Sequence, residues 1–302
     1  MINRQIISTG TYLPKHKVLN SYFQEVLGLD TNDEWIITRA GIKSRYLSDE
    51  TETAACMAMK AAQVAAGEEK EIKAIVVATS TNSQAFPSIA AQVHRSLNLP
   101  QDCICFDLND ACNGFVQAFS VAMSMIKHGE KAVVVGVDQM SSIVDYTDRS
   151  TCVLFGDGAG AVLIQKDESK QFASTSYTLS SYTQDLEAKP KVKMNGKVVF
   201  KFAIECISND VKNILNKAGT PVEKVKYFIP HQANSRILDA VEKQVNLPTG
   251  VLINVVENYG NTSAATVPIA LDHIKNRLSS GEILVMSGFA AGFRGGSVLV
   301  EI

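Results

Sequence analysis

The chain has 302 residues, 46% of them hydrophobic and 20% charged, with 19 Gly against 8 Pro, a globular composition that excludes a largely disordered or collagen-like protein. Its 29 basic and 31 acidic residues leave a formal charge of −2, so no basic field exists to hold nucleic acid or an anionic membrane. The longest apolar stretches, such as residues 74–78 and 132–137, are far shorter than the roughly 20 residues that span a bilayer, and no membrane association is expected.

At the amino terminus, Met1-Ile2-Asn3-Arg4-Gln5 has neither an apolar h-region nor a small-residue cleavage site, so a cytoplasmic location is expected, with the six cysteines as reduced thiols. The first helical pattern ends on Ala66-Gly67. A strand at 74–78 follows, then a helix closing on Asn98-Leu99-Pro100, a strand at 103–108, a helix at 114–127, and strands at 132–137 and 160–164. Cys103 and Cys105 lie beside a strand with no C-x-x-C or H-x-x-x-H spacing, so no metal site is expected. The charged run Lys166-Asp167-Glu168-Ser169-Lys170 reads as a loop and divides the chain into residues 1–170 and 171–302.

The second half repeats the first. A helix ends on Ala218-Gly219, 152 residues after Ala66-Gly67, and leads to a strand at 225–230 and a helix closing on Asn246-Leu247-Pro248, 148 after its counterpart. Gly281-Glu282 introduces a strand at 283–286, as Gly129-Glu130 introduces 132–137, and residues 296–300 parallel 160–164. Strands alternating with helices predict mostly parallel sheets covered by helices, and two such halves stacked together predict an α/β fold in five layers, α/β/α/β/α. Ligands of open α/β sheets gather beyond the carboxyl ends of strands, so residues there are expected to share one cleft.

Three residues occupy such positions. Cys112 falls at a strand-to-helix turn, where a helix amino terminus favours thiolate over thiol and Asn113-Gly114 allows a tight turn with amide groups near the sulfur. His231 directly follows the strand at 225–230, whereas His16, His94, His128 and His273 sit in polar loops or on helices. Asn261 lies at another strand-to-helix turn, where it also suits a helix cap, and the 148 offset puts Cys112 opposite Gly260, next to it. Cys, His and Asn in this order also occur in papain-like proteases, and a catalytically inactive binding subunit is a third reading.

At these residues the chain resembles the β-ketoacyl-acyl carrier protein synthase III family, of the thiolase-like superfamily of duplicated folds. The resemblance runs from residue 2 to 302. It rests on Thr31-Asn32-Asp33-Glu34-Trp35-Ile36-Ile37-Thr38-Arg39-Ala40-Gly41-Ile42, Asp107-Leu108-Asn109-Asp110-Ala111-Cys112-Asn113-Gly114-Phe115, Phe155-Gly156-Asp157-Gly158-Ala159-Gly160, His231-Gln232-Ala233-Asn234 and Asn258-Tyr259-Gly260-Asn261-Thr262-Ser263-Ala264-Ala265. It implies an acyltransferase that takes an acyl group from coenzyme A onto Cys112 and condenses it with malonyl-acyl carrier protein, starting fatty-acid synthesis, commonly as a homodimer. The amides of Cys112 and Ala291 would form the oxyanion hole, and His231 and Asn261 would donate to the enolate left by decarboxylation, with no metal or organic cofactor.

By the same resemblance, Trp35 and Arg149 would flank the adenine of coenzyme A, Asn234 would meet the pantetheine or line its tunnel, and Phe86 and Phe289 would bound the acyl pocket, Phe86 across a dimer interface. Arg39, also a coenzyme A contact, would form with Arg236 and Lys243 a basic rim for an acidic carrier protein. Two departures stand out. Phe289-Ala290-Ala291-Gly292-Phe293-Arg294-Gly295-Gly296 replaces a glycine-rich segment, so strain is expected at Ala291, and residues 166–194 are shorter than usual. The run at 174–183 reads as an edge strand and not an apolar lid, which predicts a more open tunnel mouth and leaves relatives that acylate small acceptors as the enzymatic alternative.

Overall fold

The computed structural model describes residues 4–180 and 184–302. The first half opens with strand β1 (Ile6–Tyr12) and a small hairpin of β2 (His16–Leu19) and β3 (Ser44–Leu47), between which lie helices α1 (Ser21–Glu25) and α2 (Asp33–Ala40). It continues through α3 (Ala54–Ala66), β4 (Ile72–Ala78), α4 (Ile89–Leu97), β5 (Ile104–Leu108), α5 (Gly114–Met125), β6 (Lys131–Asp138), α6 (Arg149–Cys152) and β7 (Gly158–Gln165). The second half has β8 (Phe172–Thr178), a hairpin of β9 (Leu186–Ala188) and β10 (Val192–Met194), α7 (Gly196–Ala218), β11 (Val225–Pro230) and α8 (Ser235–Val245). It ends with α9 (Val256–Tyr259), α10 (Thr266–His273), β12 (Ile283–Ala290) and β13 (Arg294–Glu301).

Two sheets carry the fold, one in the order β1-β7-β6-β4-β5 and the other in the order β11-β12-β13-β8. Because side chains alternate along a strand, β4 and β6 send Val76 and Val134 to one face and Ile75, Val77, Val133 and Val135 to the other. The first face meets Phe115 and Phe119 of α5 and Val267 and Leu271 of α10, which are in turn covered by Ile229, Leu284 and Val298 of the second sheet. The outer faces are closed by α3 and α4 on one side and by α7 and α8 on the other. That is the expected five-layered order, with strands buried on both faces and therefore continuously apolar in sequence. The expectation of mostly parallel sheets is corrected: β4 runs parallel to β5 and β6, and β11 to β12, but β1-β7, β6-β7, β12-β13 and β13-β8 are antiparallel. The return from β12 to β13 is a short loop with no crossover helix, and such a connection permits only an antiparallel pair.

The register between the halves is also revised. Ala111 and Ser263, 152 residues apart, both open a short 3-10 turn and both have positive φ, 46° and 52°. The Asn109 Oδ1 accepts from the Ala111 amide at 3.3 Å, as the Asn261 Oδ1 accepts from the Ser263 amide at 2.9 Å. Cys112 is therefore equivalent to Ala264, and Asn261 to Asn109. The 148 offset at Asn-Leu-Pro is lost downstream because the stretch after it differs in length between the halves.

Two glycines let the halves interlock. Gly136 of β6 leaves room for the Ala264 carbonyl, which a Cβ there would approach to 2.2 Å, and its counterpart Gly288 of β12 leaves room for Asn113, whose Oδ1 and Cα a Cβ would meet at 2.4 and 2.9 Å. Backbone cannot swing aside as a long side chain can, so Gly288→Ala is expected to destabilise the fold by about 3 kcal/mol. Gly196→Ala, where a Cβ meets nothing within 4 Å, is the control. Urea denaturation of both variants measures the difference, and equal midpoints would refute the steric argument.

Candidate active site

Cys112, His231 and Asn261 come from different elements and meet at one cleft of about 780 Å³. Cys112 follows β5 in the 3-10 turn that leads into α5, His231 follows β11, and Asn261 follows α9. The turn at Cys112 depends on a detail the sequence misassigned. Gly114 has an ordinary helical φ of −54°, and the left-handed residue is Ala111. Gly114 serves close packing instead, since a Cβ there would come to 3.0 Å from that of Ala78. Asp110 braces the turn, accepting from Asn113 Nδ2 at 2.6 Å and pairing with Arg294 at 2.9 Å. Arg294, part of the atypical glycine-poor segment, thus supports the nucleophile's turn from the opposite half.

The Cys112 sulfur lies 3.4 Å from the Ser263 hydroxyl, the residue equivalent to Ala111. Its acidity departs from the sequence expectation: burial pushes the thiol up to about 12, the Ser263 contact opposing this and Asp138 adding to it. Loss of hydration outweighs what one helix terminus returns. Alkylation of Cys112 by iodoacetamide is therefore expected to rise about tenfold per pH unit from pH 6 to 9. A plateau near pH 7, read by intact mass against time, would restore the thiolate expected from the helix terminus.

His231 is 1% exposed, and burial drives its imidazole down to about 3, so it is neutral at any working pH. Its Nδ1 lies 2.7 Å from the Thr266 hydroxyl, and the Phe289 ring stands edge-on 5.2 Å away. Asn261 is 7% exposed, and because its Oδ1 is held by the Ser263 amide, the amide nitrogen Nδ2 is what remains for a ligand. Asp138, wholly buried, accepts from Ser80 N at 2.8 Å, Thr81 Oγ1 at 3.0 Å and Ala264 N at 3.1 Å, joining the two halves beneath the cysteine. Burial raises its carboxyl above the usual range, against these hydrogen bonds.

Ala291 lines the cleft, and neither it nor Ala290 has positive φ; Gly292 at 77° and Phe293 at 53° take the turn, so the strain expected at Ala291 is absent. Trp35, at the mouth, lies under two guanidinium groups, Arg39 at 5.2 Å and Arg149 at 5.1 Å. Arg149 also pairs with Asp30 at 3.0 Å. Asn234 lines the cleft, but its carboxamide is engaged at both ends, accepting from Arg236 N at 2.8 Å and donating to the Arg39 carbonyl at 3.0 Å. Arg236 and Phe289 also line the cleft, whereas Lys243 sits exposed two turns further along α8. Phe86 does not line the cleft of its own chain: it is 85% exposed, in a loop that Asp107 of β5 anchors through Asn82, Ile89 and Ala90 at the open edge of the first sheet.

Residues 166–194 do more than form the edge strand β8. The hairpin β9–β10 places Leu186, Ala188, Val192 and Met194 in the cleft wall, and Gly196 and Phe200 of α7 close up beside them. The short segment thus still contributes a hairpin to the cleft wall. Of the expected edge strand, residues 181–183 lie outside the described residues. Sequence reasoning also passed over Ser263, Thr266 and Asp138, although the 152 offset would have exposed Ser263 as the counterpart of Ala111. Among the described residues no group of three or more His, Cys, Asp or Glu is placed to hold a metal, and no helix is long and apolar enough to cross a membrane.

The duplicated α/β fold, with a cysteine, a neutral imidazole and a carboxamide in one cleft, is that of the acyl-transferring condensing enzymes of the thiolase-like class. Residues 106–183 match the family model for 3-oxoacyl-[acyl-carrier-protein (ACP)] synthase III, and residues 215–302 match that for its C-terminal part. The chain is 40% identical over 309 residues to the beta-ketoacyl-[acyl-carrier-protein] synthase III of Acholeplasma laidlawii, covering 99% of this chain and 98% of that one. It superimposes on the crystal structure of the Aquifex aeolicus 3-oxoacyl-[acyl-carrier-protein] synthase III with a TM-score of 0.93 and 37% identity, over 99% and 100% of the two chains. The Thermus thermophilus synthase III structure gives 0.92 and 32%, over 98% of each. The chain belongs to the β-ketoacyl-acyl carrier protein synthase III family, which sets aside the papain-type reading.

Proposed function

We propose that the chain starts fatty-acid synthesis by loading an acyl group from acyl-coenzyme A onto Cys112 and condensing it with malonyl-acyl carrier protein. The observation that carries this reading is the meeting of Cys112, His231 and Asn261 in one cleft inside a chain of this family. The Cys112 sulfur attacks the thioester carbonyl, and the amides of Cys112 and Ala291 hold the oxyanion until coenzyme A leaves as thiol with the cysteine's proton. The malonyl unit then loses carbon dioxide, and the electron pair of that bond passes into an enolate whose oxygen takes hydrogen bonds from His231 and Asn261. The enolate carbon attacks the acyl-Cys112 carbonyl and frees the thiolate. No step written here calls for a metal or organic cofactor.

Trp35, Arg39 and Arg149 suit the nucleotide end of coenzyme A, because an adenine is flat and electron-rich and the phosphates are anionic; Arg149 would leave the Trp35 face to admit it. Phe289 bounds the acyl pocket. Asn234 shapes the tunnel and meets pantetheine only if its bond to Arg39 opens. The carrier protein docks on Arg236 and Lys243, which stand seven residues apart and so share one face of α8, with Arg39 beside them. A second copy pairs at the open edge of β5, where Ile104 is 59% exposed, and this brings Phe86 to the partner's cleft. Residues 1–170 and 171–302 are read as two copies of one unit, and the cytoplasm, where acyl-coenzyme A and carrier protein occur, as the place of action. Small acceptors are the second reading, favoured by the short segment 166–194 beside the cleft.

The deciding experiment offers a panel of acyl-coenzyme A donors, records by intact mass which ones load the enzyme, and then adds malonyl-acyl carrier protein or a small alcohol or amine. A β-ketoacyl-carrier product is expected. Acyl transfer to the small acceptors alone would refute the fatty-acid role.

A further inference from the structure

His231 shares a hydroxyl that has one proton and two places to put it. Thr266, the first residue of α10 and 2% exposed, has its Oγ1 2.7 Å from the His231 Nδ1 and 3.0 Å from the Ser263 carbonyl. If the hydroxyl proton goes to the carbonyl, Nδ1 must carry its own hydrogen and Nε2 turns a lone pair to the cleft. If it goes to Nδ1, Nε2 carries the hydrogen and becomes a donor. The chemistry of the ring is opposite in the two cases, and burial allows no water to decide between them.

Two observations decide it. The contact to Nδ1 is the shorter of the two, 2.7 Å against 3.0 Å to the carbonyl, which makes Nδ1 the nearer acceptor for the hydroxyl proton. The Ser263 carbonyl, moreover, already accepts the Thr266 backbone amide, so it does not depend on the hydroxyl for a partner. We infer that Thr266 is a positioning residue whose hydroxyl donates to the His231 Nδ1, fixing the tautomer that presents Nε2–H to the enolate oxygen. Phe289, edge-on to the imidazole, restricts the ring from turning out of this arrangement. No proton changes hands during decarboxylation: the C–C electron pair moves into the enolate, and Nε2–H only hydrogen-bonds the oxygen. The inference rests on the donor role of His231 proposed above.

The test labels the histidine rings with ¹⁵N and reads long-range ¹H–¹⁵N correlations of the intact protein, the His231 signals being those absent from His231→Asn. Wild type and Thr266→Ser are expected to show hydrogen on Nε2, and Thr266→Val a mixture or the reverse. With malonyl-acyl carrier protein, Thr266→Val should load acyl groups normally, keep its KM within about twofold and lose decarboxylation by about 10-fold to 10²-fold, and Thr266→Ser should restore it. Hydrogen on the wild-type Nδ1 overturns the inference, even if Thr266→Val does not fold. So does a Thr266→Val enzyme with wild-type decarboxylation, or one that loses loading and decarboxylation alike. His231→Ala decarboxylating at the wild-type rate would instead bring down the donor role itself, while the tautomer seen by NMR would stand.

Discussion

Acyl-coenzyme A is expected to leave its acyl group on Cys112 alone, and Cys112→Ser to lose both the adduct and more than about 10³-fold of turnover. Acidity does not single this thiol out. Burial pushes Cys103 and Cys152 up to about 11, and Cys112 further, to about 12. Position does: of the six cysteines Cys112 is the one lining the large cleft, in the 3-10 turn that leads into α5. Lowered acidity and high reactivity are compatible if the thiolate forms only as the carbonyl is attacked, with the departing coenzyme A sulfur taking up the proton. Peptide mass mapping after loading is the measurement. An adduct that persists in Cys112→Ser, or one on Cys206 beside the smaller cavity of about 270 Å³, would overturn the assignment.

The second large effect is a separation of steps. His231→Ala and Asn261→Ala are expected still to load acyl groups, while each should lose decarboxylative condensation by at least about 10²-fold, the usual cost of removing one donor from a developing oxyanion. Since both groups serve one oxygen, the double variant should fall by less than the product of the single losses. The pH dependence follows from the imidazole's value of about 3: between pH 8 and pH 5 His231 remains neutral, so decarboxylation does not decline through its protonation. Loading is read by intact mass and condensation by carbon dioxide release. If His231→Ala abolished loading while Cys112 still accepted iodoacetamide, the histidine would be acting as a base toward the thiol, and the enolate role would be withdrawn.

What the sequence by itself determined is what repeats along the chain or is carried by a local turn. The strands at 74–78, 132–137 and 225–230 were legible because strands buried on both faces leave unbroken apolar runs. Cys112 and His231 were legible because each lies just beyond the end of a strand, whereas Asn261, read at a strand-to-helix turn, follows the short helix α9. Tertiary structure decided the rest, because it depends on contacts between distant segments. The sense of β13 was set by a short return from β12, and β7 came back antiparallel to β6 through a longer connection carrying α6, neither of which composition distinguishes from a crossover. The positive φ lay at Ala111 and not at a glycine, since Asp110, Asn113 and Arg294 hold that turn from both halves. Phe86 faced outward because Asp107 anchors its loop at the sheet edge. The acidity of Cys112 and the protonation of His231 were decided last, by burial among side chains from other elements, where desolvation outweighs the helix end that local sequence can read.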